Sequence, residues 1–509
     1  MKYSIGIDFG TCNSIISIFQ NDNYISVQDQ GNHIIPTCVY INDNVNLCGI
    51  AAIPYNHSTD YIQQFKRLIG KNKTEINNIQ KQLGYKINVN DSIITIETKN
   101  KIEYNLEDII TLYINHLKTL IIKHLTITDK YPENLNDNPL IITVPAYFNE
   151  VQRSLIIKSF TNVGFNFVYL LNEPTSAAYY YINNYNDILN SIVLVFDIGG
   201  GTTDLTLLYI DTENNVMQVI GTFGDCNFGG QDFSKQLLIY VLKYLKNNNI
   251  NISNIVNNNK LIENILEACD NAKKILSNTD ENVYINFYIL EKEFNILINN
   301  TIYNELCQDL FKKCENMFDK IINDSNINKN DIKHILLIGG PVKMPELKNT
   351  IKNYFNTSKI YDNFDPKLIV SQGAALYNYN NHIKPKTIHS QSNNDIVLVD
   401  VTPLSLGIKT VSGNELLIEK NTNIPCSKFK TFSTYYDNQR IINIDIVQGY
   451  DNELTNYRII GNIQLTNIPA MPKKEPRIVV KFYIDKSGLL TVSVIEENSN
   501  IKNCLVLHV

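Results

Sequence analysis

The sequence is poor in several features that would assign it to a particular class of protein. It has no tryptophan, and it has no run of about 18 apolar residues that could cross a membrane. Acidic residues outnumber basic ones, 51 against 45, so the net charge is -6. A protein without an excess of positive charge has no general attraction to phosphate backbones. We therefore expect no membrane span and no nucleic acid partner.

The cysteines and the N-terminus exclude further classes. Nine cysteines are scattered through the chain, with no CxxC pair and no paired histidine spacing. An odd number of thiols at irregular spacing predicts reduced cysteines instead of a disulfide framework or a zinc site. The N-terminal sequence MKYSIGID reaches Asp8 before an apolar segment of signal-peptide length is complete. These features favour a soluble protein of the cytoplasm.

The N-terminal three quarters of the chain alternate between two kinds of pattern. Apolar, β-rich runs that contain glycine turns recur at residues 1–19, 192–210 and 334–345. Between them, apolar residues recur at three- and four-residue spacing and predict helices over residues 106–125, 150–163, 232–246, 260–276 and 303–322. Alternating strands and helices predict α/β layers.

After about residue 380 the pattern changes. Residues 382–394 are polar and without periodicity, which predicts a boundary between domains. Beyond them, short runs alternate apolar and polar residues, so that Ile442, Ile444 and Ile446 would share one face of a strand. A hairpin turn is predicted at residues 485–488. This part is predicted to be a β-sandwich.

Two glycine-rich segments, residues 8–13 (DFGTCN) and 197–204 (DIGGGTTD), carry the clearest chemical signal. Each places carboxylates beside small residues, whose backbone N–H groups can reach phosphate oxygens. One such segment alone would most often be an ordinary turn with a surface aspartate. Three glycines in a β-rich run, however, indicate close backbone approach. Two such hairpins facing each other would hold a phosphate chain, with Mg²⁺ between carboxylates and phosphates.

These hairpins resemble those of Hsp70 chaperones, within the actin/hexokinase/Hsp70 superfamily. The same order and spacing extend to residues 65–70 (FKRLIG), 144–149 (VPAYFN), 172–178 (NEPTSAA) and 400–407 (DVTPLSLG). The resemblance implies an α/β, actin-like, two-lobed ATPase domain over residues 1–385 and an interdomain linker over 386–400. An all-β sandwich that binds peptides would follow over 401–509, without the helical lid of the family.

The resemblance also implies roles for individual residues. Lys66 would contact the γ-phosphate, where an ammonium offsets developing charge. Glu173 and Asp197 would position the attacking water or its metal. The implied catalytic set is Lys66, Glu173, Asp197, Thr202, Asp8 and Asp204, and the implied metal ligands are Asp8 and Asp197. The implied cofactors are ATP or ADP with Mg²⁺, and K⁺ as a further option.

The implied nucleotide contacts depart from the family at several positions. They are Gly10, Thr11, Cys12, Asn13, Gly200, Gly201, Thr202, Asp270, Lys273, Lys274, Ser277, Gly339, Gly340, Pro341, Val342 and Lys343. Lys274 and Lys343 stand where the family has arginine, and Asp270 where it has glutamate. Because lysine stacks on adenine less well than arginine does, we expect weaker nucleotide binding or looser base specificity.

Two further departures concern the phosphate end of the implied site. Cys12 replaces a threonine, and because no basic neighbour is expected it is interpreted as a near-isosteric replacement and not as a redox sensor. Gln231 replaces a glutamate that pairs across the cleft in the family.

The peptide groove and the linker are implied in the same way. The groove would be lined by Ile408, Thr410, Val411, Phe432, Ser433, Tyr435, Ile442 and Ile444, with Val411 and Tyr435 as an arch and Ile442 as the floor. A plain sandwich core is the alternative, which alternation does not exclude. The apolar residues 395–400 would dock on the ATPase domain in the ATP state, although their pattern fits an edge strand equally well. Asn149, Glu150 and Arg153 match the region that senses docking, with Glu150 in place of an aspartate.

The function implied is that of an ATP-dependent chaperone for extended apolar peptides. Its partners would be unfolded polypeptides, a J-domain co-chaperone and a nucleotide exchange factor. One alternative is a regulatory, lidless homologue of the ribosome-associated type, which binds ATP with little hydrolysis. A small-molecule kinase on the same fold is a second alternative, which the sandwich and residues 400–407 disfavour. Without a lid, peptide would dissociate faster, because affinities of related complexes differ mostly in dissociation rate.

Overall fold

A computed structural model describes residues 3–42, 45–80, 83–90, 93–127, 135–185, 188, 190–289, 292–356, 358–384, 396–499 and 501–506. The predicted linker is described from Ile396 onward. Its earlier part lies outside the described residues, as does most of the predicted boundary segment 382–394.

The N-terminal part contains both strands and helices. Its strands are β1 (Ser4–Phe9), β2 (Asn13–Gln20), β3 (Asn23–Ser26), β4 (Ile35–Pro36), β5 (Cys38–Ile41), β6 (Asn46–Cys48), β7 (Tyr61–Gln63), β8 (Lys86–Asn90), β9 (Ile93–Glu97), β10 (Glu103–Asn105), β11 (Pro139–Val144), β12 (Phe167–Asn172), β13 (Ser191–Ile198), β14 (Thr203–Asp211), β15 (Val216–Asp225), β16 (Val283–Ile289), β17 (Lys292–Ile298), β18 (Ile332–Ile338) and β19 (Lys359–Tyr361).

Its helices are α1 (Lys73–Gln80), α2 (Leu106–Ile127), α3 (Glu150–Asn162), α4 (Glu173–Asn184), α5 (Gly230–Asn247), α6 (Ser253–Val256), α7 (Asn259–Leu276), α8 (Asn300–Leu306), α9 (Gln308–Asp324), α10 (Pro345–Phe355) and α11 (Ile369–Asn378). Short 3-10 helices include Phe65–Leu68 and Gly340–Lys343. The single helix predicted over residues 303–322 is wrong. It is interrupted at Cys307, whose φ of -99° and ψ of 4° end α8 before α9 begins.

Two large sheets of the N-terminal part repeat one arrangement. Their strand orders are β12-β11-β1-β2-β3, with β4 beside β2, and β19-β18-β13-β14-β15. In each sheet the first three strands are parallel and the remaining pairs are antiparallel. Strand β11 is buried at every position, as expected for a parallel strand covered on both faces. Three small sheets, β6-β5-β7, β10-β9-β8 and β16-β17, complete this part.

Helices α4 and α11 join the two large sheets. Tyr181 of α4 and Ala375 of α11 belong to the core of the second sheet, together with Leu336 of β18. On the other side, α11 lies so close to β1 of the first sheet that a Cβ atom on Gly6 would stand 2.3 Å from the backbone nitrogen of Ala375. The two sheets are therefore held at a fixed separation by a pair of shared helices.

The C-terminal part consists of strands. They are β20 (Val397–Val401), β21 (Ser405–Thr410), β22 (Gly413–Ile418), β23 (Asn423–Ile424), β24 (Cys426–Phe432), β25 (Ile442–Gly449), β26 (Tyr457–Leu465), β27 (Ile478–Ile484), β28 (Leu490–Glu496) and β29 (Ile501–Val506). Two antiparallel sheets, β22-β21-β25-β26 and β24-β27-β28-β29, bury one core between them. Ile444 and Ile446 point into this core, and the predicted turn at residues 485–488 joins β27 to β28. An α/β part followed by an all-β part is therefore confirmed.

The cysteines and the helices bear on two expectations from the sequence, reduced thiols and no membrane span. All nine cysteines are free. Among the helices described, none combines the length and the apolarity that crossing a membrane requires.

The contact between α4 and α11 gives a test of the packing. A Cβ atom on Gly373 would stand 1.9 Å from the carbonyl oxygen of Ser176, which is backbone and cannot rotate away. Gly373→Ala should therefore destabilise the protein by about 1–3 kcal/mol, despite the better helix propensity of alanine, which is worth about 1 kcal/mol. Urea unfolding followed by tyrosine fluorescence would measure the change.

Gly340→Ala is the matched control, because a Cβ atom there meets no heavy atom within 4 Å. Equal unfolding midpoints for the two variants would contradict the packing described for α4 and α11.

Candidate functional site

A cleft of about 860 Å³ lies between the two halves of the N-terminal part. Its walls come from both glycine-rich hairpins, from the 3-10 helix Phe65–Leu68 and from α5 and α7. The predicted residues that line it are Asp8, Gly10, Thr11, Cys12, Asn13, Lys66, Glu173, Asp197, Gly200, Thr202, Asp270, Lys273, Lys274, Ser277, Gly339, Gly340, Pro341 and Lys343.

Three predicted site residues do not line the cleft. The side chain of Val342 is buried in the core of the second sheet, because it points to the opposite side of its 3-10 helix. Asp204 is buried behind Asp197, its direct partner in the β13–β14 ladder. Gly201 packs against Gly229. A Cβ atom built on Gly229 would stand 2.7 Å from the backbone nitrogen of Gly201.

The two hairpins meet at their tips. A Cβ atom on Gly200 would stand only 2.7 Å from Sγ of Cys12 in the first hairpin. Gly10 is equally confined, because a Cβ atom there would lie 2.2 Å from the carbonyl oxygen of Asn13. Gly10 and Gly200 have no side chains, so a phosphate group can approach the backbone N–H groups closely at these two positions. The geometry therefore fits a phosphate chain between the hairpins.

Lys66 forms the centre of the charged end of the cleft. It is 2% exposed, and its Nζ donates to Oε1 of Glu173 at 3.0 Å and also to the carbonyl oxygen of Phe9. The 3-10 helix after β7 supplies Lys66, whereas Glu173 is the first residue of α4. Two separate elements thus bring the ion pair together.

Three buried aspartates surround this ion pair. Burial, and then the charge of Glu173, raise the pKa of Asp8, Asp197 and Asp204 above the ordinary value, and Lys66 opposes this only partly. One carboxylate oxygen of Asp204 is buried without a hydrogen-bond partner. With four carboxyl groups against the ammonium of Lys66, the buried aspartates favour their neutral form, and a bound cation would instead favour the charged form.

The donor set is compatible with Mg²⁺. Within the described ranges, no three His, Cys, Asp or Glu side chains lie close enough together to hold a metal ion by themselves. Mg²⁺ does not need such a cluster, because it usually keeps several waters and takes one or two carboxylates together with phosphate oxygens. Asp8 and Asp197, which both line the cleft, can provide those carboxylates.

The other end of the cleft carries a satisfied network between α5 and α7. Nζ of Lys273 donates to Oδ1 of Asp270 at 2.6 Å, to Oγ of Ser234 at 2.8 Å and to the carbonyl oxygen of Gly230 at 2.9 Å. Nζ of Lys274 lies 2.7 Å from Oδ2 of Asp270. Burial acts to raise the pKa of Asp270, but the two ammonium groups outweigh it and lower the pKa to about 2.

Several lining residues were not predicted. Arg67, Glu263, Glu267 and Lys367 line the cleft beside the expected residues. Arg67 could have been found, because it follows Lys66 directly within the segment FKRLIG. The other three lie on α7 or just before α11, and only the fold brings them to the cleft.

The expectation that Cys12 has no basic neighbour is wrong. The charges of Arg67, Lys273 and Lys274 all act on its thiol, because the fold brings them across the cleft from distant parts of the chain. Burial nevertheless dominates and raises the pKa of the thiol to about 11. Cys12 is thus protonated at neutral pH, which agrees with its interpretation as a replacement for threonine.

Comparison with known proteins identifies the family. A family model described as Hsp70 protein matches residues 4–508. The chain belongs to the Hsp70 family. Heat shock 70 kDa protein 2 of Paracoccidioides lutzii is 31% identical over 518 residues, which cover 100% of this chain and 77% of the relative. Heat shock cognate 70 kDa protein 3 of Dictyostelium discoideum is 32% identical over 511 residues, which cover 96% of this chain and 78% of the relative.

In this Hsp70, the apolar segment predicted at residues 395–400 is a strand shared by both parts of the chain. Strand β20 pairs in parallel with β15, with Val397 opposite Val216 and Leu398 opposite Met217. At its other end it pairs antiparallel with β23, with Asp400 opposite Ile424. Asp395 lies outside the described residues. The two alternatives were docking on the α/β part and an edge strand of the sandwich. In the structure β20 is docked on β15 of the α/β part. Its pairing with β23 also connects the strand to the C-terminal part.

A buried polar network continues from this strand into the N-terminal part. Nδ2 of Asn172 donates to Oδ2 of Asp400 at 2.9 Å, and Nη2 of Arg153 donates to Oδ1 of Asn172 at 2.7 Å. Nη1 of Arg153 also donates to the carbonyl oxygen of Ser487 in the β27–β28 turn, at 3.4 Å. Arg153 is therefore linked to the linker strand through Asn172, and it contacts the sandwich directly through Ser487.

Glu150 makes the second contact of α3 with the sandwich. Asn149 caps α3 through a capping box with Gln152, which places Glu150 at the first helical position. The backbone N–H of Leu490 donates to Oε2 of Glu150 at 2.9 Å, and Glu150 is 3% exposed. Burial raises the pKa of Glu150 to about 7, against the opposing charge of Arg153 and the Leu490 hydrogen bond, and Asp485 raises it further.

The predicted peptide-groove residues divide into two groups. Ile408 and Ile444 are buried in the sandwich core. Val411 and Tyr435 are exposed, by 75% and 58%, and Ser433 is also exposed, while Thr410, Phe432 and Ile442 are half-buried. The plain-core alternative therefore describes Ile408 and Ile444, and the exposed pair remains available as a predicted arch.

The burial of Glu150 predicts a pH dependence. Because its pKa is raised from 4.5 to about 7 in the folded protein, its contribution to stability is fully present below about pH 4.5 and is lost as the pH rises through about 7. The stability of the wild type relative to Glu150→Gln should therefore fall between pH 4.5 and 7 and stay level above that. Urea unfolding of both proteins across this range measures the difference.

Glu453→Gln, which changes an exposed carboxylate of the sandwich, is the matched control. A wild-type-to-Glu150→Gln difference that is level across the same range would refute the burial of Glu150 between α3 and the sandwich.

Proposed function

We propose that this protein is an ATP-dependent Hsp70-type chaperone that binds extended apolar peptides and couples ATP hydrolysis to its affinity for them. The observation that carries the proposal is the Lys66–Glu173 ion pair beside two glycine-rich hairpins and buried aspartates in one cleft. Residues 1–385 would form an actin-like, two-lobed ATPase domain, 386–400 the linker and 401–509 the substrate-binding sandwich. The repeated strand order of the two large sheets supports two lobes.

ATP or ADP with Mg²⁺ is the ligand that fits the cleft best. Asp8 and Asp197 would hold Mg²⁺ through water, and K⁺ is a further cation that the buried aspartates would accept. When bound, Mg²⁺ neutralises charge on the phosphates. Lys66 would bind the γ-phosphate, Glu173 would orient Lys66 and the attacking water, and Thr202 would bind nearby. Positioning and charge stabilisation supply most of the rate in this chemistry.

Coupling would run through β20 and the Arg153 network. With the strand docked on β15, the sandwich is held against α3 through Glu150 and Arg153. A nucleotide that alters the cleft would change the free energy of this docking and thereby the peptide affinity. An unfolded polypeptide would bind at the Val411–Tyr435 arch, and a J-domain co-chaperone and an exchange factor would assist in the cytoplasm.

A regulatory Hsp70 homologue that binds ATP with little hydrolysis is the second candidate. The replacement of arginine by Lys274 and Lys343 at the nucleoside end favours it. The buried Lys66–Glu173 pair favours hydrolysis. Single-turnover hydrolysis of ATP distinguishes the two functions.

Lys66→Ala tests the hydrolytic site. We expect ATP binding to be largely retained and single-turnover hydrolysis to fall by at least ~100-fold, because one preorganised charge is lost. Rapid mixing with labelled ATP, followed by quantification of ADP, measures this rate. Lys158→Ala, which removes an exposed ammonium paired with Glu107, should leave the rate unchanged. Equal rates in Lys66→Ala and the wild type would refute the assignment, and no hydrolysis in the wild type would favour the regulatory candidate.

Val397→Asp together with Leu398→Asp tests coupling. Charged side chains on β20 should abolish acceleration of peptide release by ATP, while peptide affinity with ADP stays nearly unchanged, because Leu398 packs against the core of the second sheet when β20 is docked on β15. Stopped-flow release of a fluorescent Leu-rich heptapeptide measures the effect. The control is Phe429→Asp with Tyr483→Asp, since both side chains are exposed on the sandwich. Retained acceleration in the β20 variant would mean that docking of β20 does not transmit the signal.

A further inference from the structure

A buried polar contact forms where the turn between β27 and β28 meets α3 and β20. Glu150, Arg153, Asn172 and Asp400 line a cavity of about 30 Å³ there. The charged side chains among them are buried. The turn fits closely against α3, because a Cβ atom on Gly488 would stand 3.4 Å from Nε of Arg153. The contact therefore encloses charged groups between the α/β part and the sandwich.

The charges enclosed in this contact do not balance. The titratable and charged groups in and around the cavity are Glu150, Arg153, Tyr377, Asp400, Asp485 and Lys486. Among these groups, Glu150 and Asp400 are buried carboxyl groups, and Arg153 is the buried cation. Lys486 is exposed, so solvent screens its charge. Tyr377 stays neutral, because burial and then the charge of Asp400 raise the pKa of its hydroxyl. The buried carboxyl groups thus exceed the guanidinium that could pair with them.

The two buried carboxyl groups differ in the donors that reach them. Asp400 accepts hydrogen bonds from Nδ2 of Asn172 at 2.9 Å and from the backbone N–H of Val401 at 2.8 Å. Over the described residues, Glu150 accepts one hydrogen bond, from the backbone N–H of Leu490 at 2.9 Å. Because N–H donors stabilise a carboxylate, the charged form of Glu150 is the less well stabilised of the two.

A proton is the charge partner that the contact can accommodate at Glu150. A cavity of about 30 Å³ has room for roughly one water molecule and not for a hydrated cation. Burial accordingly outweighs the charge of Arg153 and raises the pKa of Glu150 to about 7. Near neutral pH and below, the neutral form of Glu150 is therefore the one that fits the enclosed contact.

This environment of Glu150 depends on the sandwich. Leu490, which donates to Glu150, and Asp485, whose charge raises its pKa further, both belong to the β27–β28 hairpin. When the sandwich leaves α3, Glu150 faces water and returns toward its ordinary pKa of 4.5. The docked protein then holds a proton at pH values where the undocked protein does not. Docking is therefore most favourable below about pH 4.5, and it weakens as the pH rises through about 7.

We propose that docking of the sandwich takes up one proton from the solvent, which Glu150 holds between α3 and the β27–β28 turn. The inference rests on the proposed function, because it assumes that the sandwich docks and undocks during the ATPase cycle. ATP is expected to favour the docked state and with it the release of peptide. A fall in pH would therefore act in the same direction as ATP, through a contact outside the cleft.

Hydrogen exchange of the full chain at about pH 5.5, 6.5 and 7.5 tests the inference, with labelling times scaled to the intrinsic exchange rate at each pH. Mass spectrometry follows two interface segments, β20 and residues 487–490, and uses the largely buried strand β13 as a measure of global opening. The interface segments should be less protected than β13, because undocking is a smaller opening than unfolding. Their opening constant should rise about 10-fold between the lowest and the highest pH.

Two variants assign the proton to Glu150. Glu150→Gln has no group to titrate there, so its interface segments should keep the low-pH protection of the wild type at every pH. In Asp485→Asn, the amide oxygen can still accept from the backbone N–H groups of Ser487 and Leu489. Without the charge of Asp485, the change in protection should move to lower pH. Glu475→Gln, which alters an exposed carboxylate of the sandwich, is the control and should follow the wild type.

The outcomes separate this inference from the proposed function. Interface protection that is equal at all pH values would overturn proton uptake and leave the proposed function standing. Interface segments as protected as β13 would overturn both, because the two parts would then separate only on unfolding. A wild type whose protection depends on pH, while its release of a fluorescent Leu-rich heptapeptide does not, would support the inference and refute the proposed coupling.

The role of Glu150 itself has its own decisive results. The same pH dependence in Glu150→Gln as in the wild type would assign the proton to another group and overturn the inference. If Glu150→Gln does not fold, Asp485→Asn decides the question. A transition that stays at the pH of the wild type in Asp485→Asn would then overturn the inference, and a shift to lower pH would support it.

Discussion

The ion pair between Lys66 and Glu173 is the interaction on which the cleft depends. An isolated buried charge is costly, whereas a paired and hydrogen-bonded one can be tolerated. Lys66 satisfies Glu173 and the carbonyl oxygen of Phe9, and it partly offsets the charge of Asp8 and Asp197. The pair also has a structural consequence. Because Lys66 comes from a 3-10 helix and Glu173 from the start of α4, one contact holds two otherwise separate elements in register.

The two ends of the cleft solve the problem of charge in opposite ways. At the end formed by α5 and α7, Lys273 and Asp270 satisfy each other, and Ser234 and Gly230 take the remaining donors of Lys273. At the end around Lys66, carboxyl groups exceed ammonium groups, and Asp204 has a buried oxygen without a partner. A network whose donors and acceptors are all paired within the protein stabilises the folded protein without a ligand. A network with unpaired buried groups can gain hydrogen bonds or charge partners when a suitable ligand binds. This difference in pairing indicates that the Lys273–Asp270 network holds α5 and α7 together, whereas the groups around Lys66 are available to bind a ligand.

Two adjacent residues, Asn172 and Glu173, lie between the linker strand and the cleft. Asn172 bonds to Arg153 and to Asp400 of β20, and the next residue in the chain is Glu173 of the ion pair. The hydrogen bond of Asn172 to the linker strand therefore lies one residue from the ion pair of the cleft. Breaking any of these buried hydrogen bonds would be costly, because the groups would lose their partners away from water.

Much of the fold could be predicted from local pattern. Period-two and helical spacing identified several strands and the long helices α2, α3, α5 and α7, and glycines beside Asp8 and Asp197 indicated the hairpins, because backbone preference and burial act over a few residues. The break at Cys307 was missed, since apolar spacing continues across it while the backbone turns. Resemblance in short segments supplied less than half of the cleft lining, including Lys66 and Glu173.

What the sequence alone determined is thus the class of each part, the family, and the identity of the groups that meet around Lys66. Only the tertiary structure decided which carboxyl groups are buried together, that Glu263 and Glu267 of α7 line the cleft, and that Val342 turns into a core. It also decided that β20 pairs with β15 as well as with β23. These features depend on distances between residues far apart in the chain, and local sequence pattern carries no information on such distances.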